Sequence, residues 1–146
     1  MPIEAKAKAL GWERLYAASE DFRSRFEEMY EAVEQLPGDL IERGRSYDYP
    51  QLHRACLDGD IELVKGLLAN GLDASAYTYT EDEDDQPPLV WLAEDQSMNP
   101  KLKVQVANLL LGSGADVDEG DALVAAEDAG DHAFAKFLRE AGATDD

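Results

Sequence analysis

The side chains with most chemical potential lie in one stretch. Tyr77-Thr78-Tyr79-Thr80 leads into Glu81-Asp82-Glu83-Asp84-Asp85 and then Gln86-Pro87-Pro88. Five adjacent carboxylates attract cations. Calcium is a poor match, because the run lacks the spaced acids and central glycine of an EF-hand loop. A basic protein surface is a better match, and the two tyrosines add rigid contact area with a polar end. The plain alternative is a solvated loop whose acids only aid solubility. Other reactive groups are sparse. His132 has no Cys, His or paired acids at metal-ligand spacing. Cys56 is alone and cannot form an internal disulfide. No Ser-His-Asp order, glycine-rich phosphate loop or zinc motif is present. The remaining acids are numerous, but a solvated acidic surface accounts for them without acid–base catalysis. The expectation is a chain with no catalytic residues, no metal and no cofactor.

The charge balance sharpens the choice of partner. The 146 residues carry a formal net charge of −19. Residues 1–46 hold 10 acids and 7 bases, whereas residues 47–146 hold 22 acids and 6 bases. That field repels nucleic acid and anionic membranes and attracts basic partners. Direct phosphate binding needs clustered Lys and Arg, which are missing. No apolar run is long enough to span a bilayer. Met1-Pro2-Ile3-Glu4-Ala5-Lys6-Ala7-Lys8 lacks the apolar core of a signal peptide. With the single cysteine, these absences favour the cytoplasm.

Periodicity locates the elements that must position these residues. Trp12, Leu15, Tyr16, Ser19, Phe22, Phe26, Met29, Tyr30, Val33 and Leu36 recur at three- and four-residue steps. They predict an amphipathic helix that Pro37-Gly38 ends. Asp21 and Arg25 are spaced to pair on its outer face. Downstream, Leu52 to Gly71 and Leu123 to Gly142 are each 19 residues, and Leu89 to Gly114 is 25. The middle copy therefore carries six extra residues, around Asp95-Gln96-Ser97-Met98-Asn99-Pro100. Recurring units of this size indicate a helical repeat array.

Leu52-His53-x-Ala55-Cys56-x-x-Gly59 and Leu67-Leu68-x-x-Gly71-Leu72-Asp73 resemble the ankyrin repeat. Pro88-Leu89 and Gly114-Ala115-Asp116 resemble it in the second copy, and Leu40-Ile41-Glu42-Arg43-Gly44 looks like a remnant of another. The resemblance covers residues 47–144. Val90 and Val124 depart from it at the histidine position, Pro50 is displaced by one residue, and Glu127 and Arg139 replace packing residues, as suits a terminal copy. It implies an all-α fold: one domain over 1–146, with ankyrin-like repeats at 47–146 in a solenoid and projecting finger loops. Residues 1–46 would form a helical cap with one long helix. It also implies that the stretch after Gly71 is a finger hairpin, for which Tyr77–Thr80 have strand-like composition. His53 would bond neighbouring loop backbone, and Cys56 would be a buried packing thiol. Arg54 and Trp91 would face the concave groove, with Leu57, Asp58, Glu94, Asp95 and Asp128 nearby. Trp91 would either anchor a partner there or pack beneath the finger or the inserted loop.

The partner-binding set expected is thus Tyr77, Tyr79, Glu81, Asp82, Glu83, Asp84, Asp85, Trp91, Arg54, Asp58, Glu94 and Asp95. The resemblance implies a non-enzymatic protein-binding module. Acidity narrows it to an inhibitor of a protein with a basic surface, such as an immunity protein or antitoxin that neutralises a toxin or nuclease. The alternatives are a nucleic-acid mimic, a general ankyrin scaffold or adaptor, an enzyme or its regulatory subunit, and a fragment of a larger assembly. Gly142-Ala143-Thr144-Asp145-Asp146 reads as a terminal cap, against the last of these.

Overall fold

Ser19 sets the first departure from the periodic pattern. Its backbone is extended (φ −113°, ψ 114°) and its hydroxyl accepts from the Phe22 amide, so it caps one helix while ending another. In the computed structural model, which describes residues 2–144, the expected single long helix is therefore divided. The cap is α1 (Ile3–Ala9), α2 (Glu13–Ala18), α3 (Glu20–Glu34) and α4 (Leu40–Arg45). Phe22, Phe26, Met29 and Val33 line the buried face of α3. Phe22 and Phe26 meet the ring of Tyr49 at 5.3 and 5.0 Å, which seats the cap on the next unit. Arg25 does not pair with Asp21 as its spacing suggested. It contacts Glu28 at 3.4 Å and turns inward, its side chain only 13% exposed.

Six helices follow as three pairs: α5 (Gln51–Asp58) with α6 (Ile61–Ala69), α7 (Pro88–Glu94) with α8 (Pro100–Gly112), and α9 (Ala122–Asp128) with α10 (His132–Glu140). The described residues are all-helical, without a strand. α5 packs on α7 and α7 on α9, while α4 packs on α6, α6 on α8 and α8 on α10. The pairs therefore stack with their first helices in one row and their second helices in another. The core of Leu52, Leu63, Leu67, Leu89, Leu92, Leu110, Phe134 and Leu138 runs between the rows. The extra residues of the middle pair are shared between the loop Asp95–Asn99 and a longer α8. That helix has 13 residues, whereas α6 and α10 have nine each. Asp145 and Asp146 of the expected terminal cap lie outside the described residues.

The first and third pairs share one turn. Gly59 and Gly130 take positive φ (68° and 77°), a conformation that favours glycine. The aspartate after each caps its helix: Asp60 accepts from Leu63 N and Asp131 from Phe134 N. Each also takes a cation from the preceding unit, Arg43 of α4 for Asp60 and Lys103 of α8 for Asp131. Lys103 is 3% exposed and donates to Asp131 at 2.8 Å and to the Asp95 carbonyl at 2.5 Å. Partial burial raises the Asp131 carboxyl pKa, but the bonds from Lys103 and Phe134 N outweigh it and hold the group below its ordinary range. These aspartates tie adjacent units by charge as well as packing.

The strand expectation for Tyr77–Thr80 is corrected. Leu72, Ala74, Ala76, Thr78 and Thr80 are buried in alternation with less buried neighbours, which is the period of an extended chain. No second strand lies beside them, so the hairpin does not form and the segment lies packed along the helices.

Asp131→Ala should cost about 3 kcal/mol in urea denaturation. It removes a helix cap and leaves Lys103 buried without its counterion. Lys103→Met in the same chain should recover part of that loss, whereas additive effects of the two changes would show that the pair is not coupled.

Candidate functional site

A buried stretch of irregular backbone needs partners for its polar groups. Residues 76–86 find them in side chains from several parts of the chain. From the cap, Arg25 Nη1 donates to the Tyr77 carbonyl at 2.8 Å, and its guanidinium lies 5.2 Å from the Tyr79 ring centroid. Tyr49, between cap and α5, donates its hydroxyl to the Thr78 carbonyl. From α5, His53 Nε2 lies 3.0 Å from the Ala76 carbonyl and 2.9 Å from the Gln86 carbonyl. A carbonyl cannot donate, so Nε2 carries the proton and Nδ1 does not. Burial strips the imidazolium of water and lowers the His53 pKa to about 3 despite both carbonyls. The acidic run itself supplies more. Asp85 Oδ1 accepts from the amides of Thr78 and Tyr79 at 3.0 and 2.9 Å. Asp82 Oδ1 accepts from the Thr80 hydroxyl and the Asp84 amide at 2.8 and 3.0 Å.

The acidic run is thus a closed turn with divided duties. Asp85 faces inward and holds the turn, while Glu81, Asp82, Glu83 and Asp84 are exposed. Tyr79 and Glu81 have φ of 57° and 65°, a costly conformation for residues with side chains. The loop also reaches the later pairs. Tyr77 donates its hydroxyl to Glu119 at 2.8 Å, and Ser75 Oγ accepts from the Asp116 amide at 2.9 Å. Desolvation first, then Glu119, push the Tyr77 phenol up to about 12. Tyr77 and Tyr79 are therefore half-buried supports of the loop.

Trp91 packs beside this turn. Its indole N–H donates to the Asp84 carbonyl at 2.9 Å, and its ring meets His53 edge-on at 5.0 Å. It stays half exposed and floors an open groove of about 370 Å³ with Arg54, Leu57, Glu83, Asp84, Glu94 and Asp95. Desolvation, then Asp84 and Glu83, raise the Glu94 pKa. The structure so brings together six residues of the expected set and separates others. Asp58 accepts from the Tyr47 hydroxyl at 2.7 Å and lies in a different depression with Arg43 and Asp60. Its place in the groove is corrected, because it is at the C-terminal end of α5 and turns toward the cap. Asp95 lines the groove but also accepts from the Ser97 amide and hydroxyl at 2.6 and 2.8 Å, shaping the inserted loop.

Residues missed in the sequence are Arg25, Tyr49 and Glu119. Arg25 sits among the buried positions of α3, and a cation there was the available signal. Cys56 is fully buried, and burial pushes its thiol pKa up. Among the described residues, no group of three His, Cys, Asp or Glu side chains could hold a metal, and no helix is long and apolar enough to cross a membrane. No protein-family model, curated protein or solved structure matches the chain.

Two measurements test this scaffold. Arg25→Met should speed amide hydrogen exchange across residues 77–85 by about tenfold, since a bond to a charged donor is worth about 1.5 kcal/mol or more. Unchanged exchange would show that the cap does not hold the loop. His53 binds its proton less readily folded than unfolded, so its contribution is complete above the ordinary histidine pKa of about 6.5. It is lost as pH falls from there toward 3, with a slope on the order of 1 kcal/mol per pH unit. His53→Gln should flatten that slope between pH 6.5 and 4 in denaturant titrations; an identical slope would refute the assignment.

Proposed function

We propose that this chain is a non-enzymatic protein-binding module of ankyrin-like repeats. Its partner presents a basic surface, and the most specific form of the proposal is an acidic inhibitor, such as an immunity protein or antitoxin that covers a toxin or nuclease. The observation that carries it is the fixed display of Glu81, Asp82, Glu83 and Asp84 beside the Trp91 groove. An acidic run that served only solubility would need none of the bonds that hold it. A loop already ordered loses little conformational freedom when it binds. Stacked helix pairs and the Leu-His-x-Ala motif support the ankyrin-like part of the proposal.

The nucleic-acid mimic has less behind it. It needs acids laid along one face, whereas Asp60 and Glu62 pair with Arg43, Glu127 with Arg139, and Glu140 with Lys136, on elements away from the loop.

The test uses variants that spare the two acids that bond within the turn. Glu83→Lys with Asp84→Lys keeps Asp82 and Asp85 in place. Immobilised wild-type chain should retain a basic protein at low salt and release it near 1 M salt, where charges are screened beyond about 3 Å. The double variant should retain at least tenfold less. Expression of the captured protein alone should arrest growth, and co-expression with this chain should restore it. Equal capture by the variant at every salt concentration would refute the acidic-loop contact, and harmless expression of the partner would refute the inhibitor.

A further inference from the structure

The groove beside the loop continues further than the loop does. A second depression of about 440 Å³ is lined by Gln86, Val90, Gly120, Val124, Ala125 and others, and it shares Glu94 with the first. Together they form a trough across α5, α7 and α9. Its charge is one-sided: Glu83, Asp84, Glu94, Asp95, Asp121 and Asp128 border it, with Arg54 as the lone cation. Its floor is different. Val124 is 45% exposed, the one large hydrophobic residue left exposed among the described residues. Half-buried Leu57, Trp91 and Ala125 extend that floor along the row of first helices. The Trp91 ring is held in place by its bond to the Asp84 carbonyl.

From this trough we infer the kind of segment the partner inserts: a basic stretch carrying an apolar side chain between its cations, with the apolar side chain over Val124 and Trp91. The inference rests on the proposed protein-binding function and adds its recognition element. Charge complementarity selects the occupant. Six carboxylates against one guanidinium exclude an acidic segment by repulsion and draw a Lys- or Arg-rich one. Cations alone would leave Val124 facing water. An apolar side chain seated there removes both surfaces from solvent, and a fixed aromatic wall suits an anchor. Glu94 lines both depressions, and desolvation first, then the neighbouring Asp84 and Glu83, raise its carboxyl pKa; a cation seated there offsets that repulsion.

The probes are two peptides of equal charge, four Lys-Lys-Leu repeats and four Lys-Lys-Ser repeats, titrated against the full chain by calorimetry at 50 mM salt. The leucine peptide should bind at least tenfold more tightly. Val124→Ser, an exposed change that leaves the core alone, should erase that difference. Glu94→Gln with Asp128→Asn should weaken both peptides. Circular dichroism checks that each variant is folded. Equal, salt-dependent binding of the two peptides would overturn the apolar anchor and leave the basic-partner function standing. A leucine preference that survives Val124→Ser would place the anchor elsewhere and overturn the inference as well. If neither peptide binds at 50 mM salt, the trough and the basic-partner function fall together.

Discussion

Much depends on the cost of burying backbone that is neither helix nor strand. Residues 72–80 cross the face of the helices with every second residue buried, and an unpaired buried carbonyl or amide costs about 1–3 kcal/mol. That demand explains side chains that otherwise look misplaced. Tyr49 and His53 are wholly buried polar-ended groups, and both end on loop carbonyls. Arg25 turns away from its helical neighbour for the same reason. Asp85 leaves the exposed run to collect two amides.

Meeting the demand links regions that are far apart along the chain. The cap supplies Arg25, the first pair supplies His53, and the loop passes contacts on to Asp116 and Glu119. The cap is therefore more than a cover for apolar surface. It is one wall of the socket that shapes the acidic turn, so stability at one end and presentation at the other share residues.

Electrostatics acts on two scales. Locally, Asp60 and Asp131 each join a helix cap to a cation from the preceding unit, which ties adjacent units together. Globally, the net charge of −19 opposes compaction and favours basic partners. Glu83, Asp84, Glu94 and Asp95 gather beside Trp91, and Val124 is exposed in the adjoining depression. The apolar floor and acidic rim are separate properties of the chain that this packing places side by side.

The sequence by itself determined the helical pairs and their registration. Leucine spacing, Gly59 and Gly130, and the aspartates after them are local signals, because a helix closes its bonds within four residues and its caps within a few more. It also carried the acidic run, the buried character of Cys56 and the candidate place of Trp91. Tertiary structure decided what each acid does. Asp85 and Asp82 belong to the turn, Asp58 to Tyr47, and Glu83 and Asp84 to the groove. No periodicity reports such assignments, because the groups concerned meet across long separations, as Arg25 and Tyr77 do over 52 residues. The absence of a hairpin has the same origin, whereas the break at Ser19 is local, its hydroxyl accepting from an amide three residues on. Local preference offered one continuous helix and one strand, and neither could survive where a cap hydroxyl ended the first and the second had no neighbouring strand to bond.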